Sequence, residues 1–332
     1  MNEQPMQPER QGLSEDLARQ VFSVCAGIAA ITLISTVVQV ILLEILKETA
    51  PSLFSHGWFA VLFSSVPMYL VAMPLSLCFF RVGKPQPPRV GKRVSVSALL
   101  GLVALCFAIT VVGNLVSDFL QTVISKLTGE PAVNEVSAVA MKTPFWANLL
   151  FMGILAPILE EIFYRKLVID RLRAFGDLPA VLLSGVLFGL IHGTVSQVVY
   201  AALFGILAGF VYVYTGKLRY SIALHLSLNL VGGVLTTELL RGMLSKGLGE
   251  LDTSQLYANL ADYPLQIVPY LLYTLFMWVC VIAAPVALAF LWKYTRVEHS
   301  PADPSPKSIR AVFLKNPAAW VLALVIFLLF II

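Results

Sequence analysis

The feature that most constrains this chain is a charged cluster inside an apolar run. Ala156-Pro157-Ile158-Leu159-Glu160-Glu161-Ile162-Phe163-Tyr164-Arg165 lies in a stretch, near 146 to 170, that is otherwise apolar and long enough to cross a bilayer. Each charged side chain near the middle of a transmembrane helix costs about 2.5–3.5 kcal/mol on insertion scales, so three cost on the order of 8–10 kcal/mol before pairing or hydration. The chain must therefore turn these groups toward protein or water, and a chain that keeps them puts them to use.

The rest of the sequence supports the membrane reading. The 332 residues are 58% hydrophobic and 13% charged, with a mean hydropathy of +0.83, where a soluble domain has roughly 45–50% apolar and about 25% charged residues. Taking about 20 apolar residues as one crossing, spans fall near 20 to 46, 58 to 80, 95 to 125, 146 to 170, 178 to 194, 196 to 216, 219 to 239 and 264 to 292. A shorter run, Ala318 to Ile332, follows them. The predicted fold is all-α, a polytopic bundle of about eight to nine transmembrane helices. It divides into a tail (1–19), three N-terminal helices (20–125), a core (145–239) and C-terminal helices with a linker (240–332).

Orientation follows from Lys and Arg, which are retained on the cytoplasmic side. With the N-terminus cytoplasmic, 17 of the 23 fall in inner segments and only Lys47, Lys126, Lys142, Arg241 and Lys246 in outer ones, with Arg165 inside the membrane. Met1 to Gln20 is polar and of mixed charge, unlike a cleavable signal, and reads as a retained tail. The Pro-rich loop Lys84 to Arg89 and the stretch Ser300 to Lys307 read as linkers. The net charge of +4 is scattered and gives no case for nucleic acid. Cys25, Cys78, Cys106 and Cys280 lie in apolar runs without CxxC spacing and read as small core residues. His56 and His299 fall in loops and receive no role.

Within the fourth span, Glu161 and Arg165 are four apart, so they share a helix face with the acid N-terminal to the base. Glu160 is rotated by about 100° and left without that partner. Pro157 removes one backbone donor and loosens the helix just before the acids. The fifth span brings Phe188 and His192 to one face, with Gly185, Gly189 and Gly193 at the same four-residue interval, which lets another helix approach closely. The seventh span carries His225 and Asn229, again four apart. At about 1.5 Å per residue from the inner edge, Glu160, His192 and Asn229 reach similar depths. His225 falls nearer the cytoplasm, which predicts water access from that side.

These residues form three ordered motifs on separate spans: EExxxR (Glu160 to Arg165), FxxxH (Phe188 to His192) and HxxxN (His225 to Asn229). Over about 145 to 232 the sequence resembles the CAAX protease and bacteriocin-processing (Abi) family of intramembrane proteases, which includes the type II CAAX prenyl endopeptidase. The resemblance implies an all-helical core with a polar cavity open to the cytoplasm, where a peptide bond is cut near a membrane-associated terminus. It further implies Glu160 as the general base that activates water, assisted by His192, with His225 and Asn229 stabilising the oxyanion and Glu161 and Arg165 supporting the site. Tyr164 and Lys166 depart from the residues common beside the motif arginine.

The chemistry agrees with that assignment. A carboxylate shielded from water is suited to act as a base, and donors fixed in a dry cavity stabilise developing charge. The expected partners are a bilayer and a membrane-associated peptide or protein, in the cell membrane. No cofactor is required on this reading; if zinc were bound, Glu160, His192 and His225 supply ligand types it accepts. There is no HExxH, GxGD or GxSG motif. Two other classes remain: a catalytically silent binding or bacteriocin-immunity protein, and a transporter or proton relay, against which stands the lack of an inverted repeat.

Overall fold

The computed structural model describes residues 8–88, 91, 93–129, 134–249, 253–292 and 304–331. Residues 1–7 of the tail, the basic residues Arg89, Lys92, Lys293 and Arg296, His299 and the first half of the linker 300–307 lie outside the described residues.

Every regular element among the described residues is helical. Seven helices are long and apolar enough to cross a bilayer: α1 (Pro8–Thr49), α2 (Gly57–Arg81), α3 (Val96–Thr128), α5 (Phe145–Phe175), α7 (Val195–Thr215), α8 (Leu218–Leu244) and α10 (Pro264–Leu291). Between them lie the short helices α4 (Glu135–Lys142), α6 (Asp177–Leu190) and α9 (Thr253–Ala258). The C-terminal α11 (Pro306–Lys315) and α12 (Pro317–Leu329) meet at 79° and together make an eighth candidate span. The protein is thus an all-α multi-pass membrane bundle.

The fifth expected span is shorter than its apolar run. At 14 residues, α6 is about 21 Å long, less than the roughly 30 Å of a hydrocarbon core. Its neighbours cover it: Ala180, Val181, Ser184, Gly185 and Phe188 are buried. A Cβ added to Gly185 would lie 2.6 Å from the Ile206 nitrogen, so α6 and α7 touch backbone to backbone. Gly193 does not continue this contact, because it sits in the following turn at φ +66°. The α12 helix starts where Asn316 Nδ2 donates to the Ala18 carbonyl (2.8 Å) and reaches Gly193 at Leu329. Three of the four cysteines are buried as expected, but Cys78, near the end of α2, is exposed.

The two ends of the bundle are built differently. At one end Gln20 Nε2 donates to the Lys84 carbonyl (2.9 Å), the Gln86 N–H to the Asp170 carbonyl (2.5 Å), Arg173 Nη1 to the Gln86 carbonyl (2.6 Å) and the Gly91 N–H to the Thr215 carbonyl (2.9 Å). The segments richest in Lys and Arg meet here, and the α2–α3 loop closes over them. At the other end Thr143 Oγ1 donates to the Gly57 carbonyl (3.1 Å), and Arg241 Nη2 donates to the carbonyls of Ala140 (3.2 Å) and Thr143 (2.7 Å). This joins α2, α4 and α8. The segments assigned to one side by charge therefore do share one end of the bundle.

Candidate active site

The middle of α5 is held between two π-helical stretches, Asn148–Leu155 and Ile162–Ile169, with the α-helical Ala156–Glu161 between them. Two further π-helical stretches lie at Pro67–Ala72 in α2 and Leu228–Leu235 in α8. Such widened turns are uncommon and cluster at functional sites. Here they carry Tyr69 and Asn229 and flank both glutamates.

Glu161 and Arg165 are completely buried. Arg165 Nε donates to Glu161 Oε2 (2.8 Å) and Nη2 to Oε1 (3.0 Å), a bidentate ion pair, while Nη1 donates to the Gly205 carbonyl of α7 (3.1 Å). Each guanidinium nitrogen thus donates once, and the close α6–α7 packing brings the Gly205 carbonyl within reach.

His225 is also buried, with Nδ1 3.2 Å from Glu161 Oε1. A carboxylate paired with arginine can only accept, so Nδ1 carries the hydrogen. The other ring nitrogen, Nε2, lies 3.8 Å from Glu160 Oε2. Phe204 and Phe188 pack on the ring, at centroid distances of 4.7 and 5.7 Å. His192 sits at the end of α6, its Nδ1 donating to the Phe188 carbonyl (2.6 Å), which leaves Nε2 without a hydrogen in the neutral ring. The sequence led to His192 as the partner of Glu160; the structure places His225 there, at the level of the acids rather than nearer the Lys/Arg-rich end.

Glu160 differs from its neighbour. Its side chain is 13% exposed, and its hydrogen-bonding partner is the Tyr69 hydroxyl, which donates to Oε1 at 2.6 Å. Tyr69, 91 residues away in sequence, was not singled out by any motif. The available signal was a phenol inside an apolar run two residues after Pro67. Asn229 Nδ2 donates to the Met152 carbonyl (2.8 Å). The local chemistry explains this bond. The Ala156 N–H reaches back five residues to Phe151, so in the same register the Met152 carbonyl would need an N–H from residue 157, which is proline. The Asn229 amide fills that gap with one hydrogen and keeps a second.

Glu160, His192, His225 and Asn229 all line one cavity of about 580 Å³, within the roughly 300–1,000 Å³ of ligand pockets. Among the described lining residues Glu160 is the only Asp, Glu, Lys or Arg; Tyr69, Thr110, Asn114, Gln197 and Tyr200 add polar groups and Val61, Met68, Phe151 and Leu240 apolar ones. The lining continues through Asn134, Ser137 and Met141, through Thr194 and Ser196, and through Thr236 and Thr237. These belong to the end opposite the Lys/Arg-rich segments, which corrects the expectation of an opening on the Lys/Arg-rich side. Among the described residues no group of three His, Cys, Asp or Glu side chains is arranged to hold a metal ion. The zinc set of Glu160, His192 and His225 does not converge as ligands.

Fold and site together define a class: an all-helical, multi-pass membrane protein with a carboxylate–histidine cluster at a cavity floor inside the bundle. Residues 142–231 match the family model described as Type II CAAX prenyl endopeptidase Rce1-like, in agreement with the resemblance carried by the three motifs. The matched segment runs from the last residue of α4 to Val231 in α8 and contains all seven residues that define the motifs. The matched family is one of CAAX-type membrane proteases, which supports peptide hydrolysis in a bilayer as the general class of activity. No curated protein and no solved structure matches the chain.

Proposed function

We propose that the protein is an intramembrane endopeptidase in which Glu160 activates water. The observation that carries this reading is the asymmetry of the two acids: Glu161 is consumed by Arg165 and His225, whereas Glu160 faces the cavity as the only Asp, Glu, Lys or Arg among its described lining residues. A carboxylate so placed serves as a general base. The water gives one proton to Glu160 while its oxygen bonds to the carbonyl carbon, and the carbonyl electron pair moves to the oxygen. Collapse of this tetrahedral intermediate breaks the C–N bond, and Glu160 returns the proton to the departing nitrogen.

The other residues fit supporting roles. His225, held by Glu161 and bearing a hydrogen on Nε2 when protonated, and Asn229, with its second amide hydrogen, are the donors for the oxyanion. The bare Nε2 of His192 is the acceptor that orients the attacking water. The substrate is a membrane-associated peptide or protein, and the site is the cell membrane.

The test is purified protein in lipid vesicles, with peptide products read by mass spectrometry. Glu160→Gln is expected to abolish cleavage while the thermal unfolding midpoint stays unchanged; full cleavage by that variant refutes the proposal. If a protective phenotype in cells survives both Glu160→Gln and His192→Ala, the binding or immunity reading replaces it.

A further inference from the structure

The cavity has an entrance at one end of the bundle and a seal at the other. Beyond Glu160 toward the Lys/Arg-rich end, α5 continues with Phe163, Val168, Ile169, Leu172 and Phe175, all buried, and Tyr212 of α7 is buried against the same level. Tyr212 donates to Asp170 (2.8 Å), and Arg171 Nη1 bonds the Leu167 carbonyl (3.1 Å) while Nη2 bonds the Phe80 carbonyl. The α2–α3 loop lies across this plug through the bonds from Gln20, the Gln86 N–H, Arg173 and the Gly91 N–H. Over two turns of apolar side chains, then a hydrogen-bonded cover, separate Glu160 from that face. At the opposite end the lining contains the exposed residues Asn134, Ser137 and Gly233.

Charge assigns the two faces. The sealed end carries most of the Lys and Arg in short segments, the arrangement retained in the cytoplasm. The open end carries few, and Arg241 there is already paired with Glu238 (2.6 Å) and with backbone carbonyls.

We propose that the site is loaded from the non-cytoplasmic face, and that its substrate is a translocated polypeptide presenting an uncharged, largely apolar segment. This rests on Glu160 as the hydrolytic centre and adds the side and the chemistry of the substrate. Among the described lining residues Glu160 is the only Asp, Glu, Lys or Arg, so a segment carrying several charges would find one carboxylate and the two histidines as its only charged or chargeable partners there. A substrate held in the cytoplasm would meet the plug, where the space between Glu160, Met73 and Phe163 is only about 20 Å³, room for about one water.

Two measurements test this on the full chain in intact cells. In the first, the four native cysteines are replaced, and single cysteines are introduced as Ser137→Cys at the entrance and Lys84→Cys at the seal. A membrane-impermeant maleimide is expected to label Ser137→Cys in intact cells and Lys84→Cys only after permeabilisation. The reverse pattern overturns the inference whether or not the protein cleaves anything.

In the second, a reporter with an uncharged segment of Ala, Leu, Val and Ser is displayed on either face of the membrane, with Glu160→Gln as control. Cleavage of the outer reporter alone supports the proposal. Cleavage of the cytoplasmic reporter overturns it and leaves the protease reading standing. Absence of cleavage of both, with the maleimide pattern as expected, instead counts against the hydrolytic reading beneath it.

Discussion

Replacing Arg165 with methionine keeps most of the volume and removes the charge. The Glu161 carboxylate would then stay fully buried, with His225 as its remaining partner, while the Gly205 carbonyl would keep only its bond within α7. Removing one member of a buried pair costs about 3–5 kcal/mol, because the survivor is uncompensated. The double variant Glu161→Gln/Arg165→Met removes both charges, and the glutamine oxygen can still accept from His225 Nδ1. It should be more stable than Arg165→Met by about 2 kcal/mol or more, the coupling characteristic of groups in direct contact. The assay is reversible unfolding of the purified protein in mixed micelles, for wild type, both single variants and the double. The reasoning is refuted if Arg165→Met costs under about 1 kcal/mol, or if the double variant is no more stable than Arg165→Met.

Two further outcomes follow from single hydrogen bonds. Tyr69→Phe deletes the donor on Glu160 Oε1. A bond to a charged group is worth about 1.5–3 kcal/mol, so kcat should fall at least about tenfold with KM little changed. An unaltered kcat would exclude a positioning role for Tyr69. Asn229→Ala strips the Met152 carbonyl of its donor and should destabilise the fold by about 1–3 kcal/mol. Asn229→Asp, which sets an acceptor against an acceptor, should cost more; thermal unfolding in detergent measures both, and wild-type stability would show that the carbonyl needs no cap.

The membrane class was legible in the chain because it depends on the length and polarity of apolar runs, which no tertiary contact alters. The pairing of Glu161 with Arg165 was legible for a related reason: groups four apart on one helix are neighbours wherever that helix packs. The sorting of loops to two ends followed from the alternation of crossings. The length of α6 was misjudged because His192 and Gly193 continue the apolar pattern, whereas the chain turns at Gly193 with a positive φ.

The relation between helices was not legible. Rotation and depth of α2 and α8 against α5 decide that Tyr69 and His225, rather than His192, flank Glu160. These are set by close approaches such as Gly185 on Ile206 and by the widened turns around Pro157, and hydropathy carries no record of either. The side of the cavity was hidden for the same reason, since it depends on which end the α2–α3 loop and the buried side chains of lower α5 fill. The sequence by itself determined the membrane setting, the motif residues and the neutralised acid. Only the packing of separate helices determined what the remaining acid faces and the end from which it is reached.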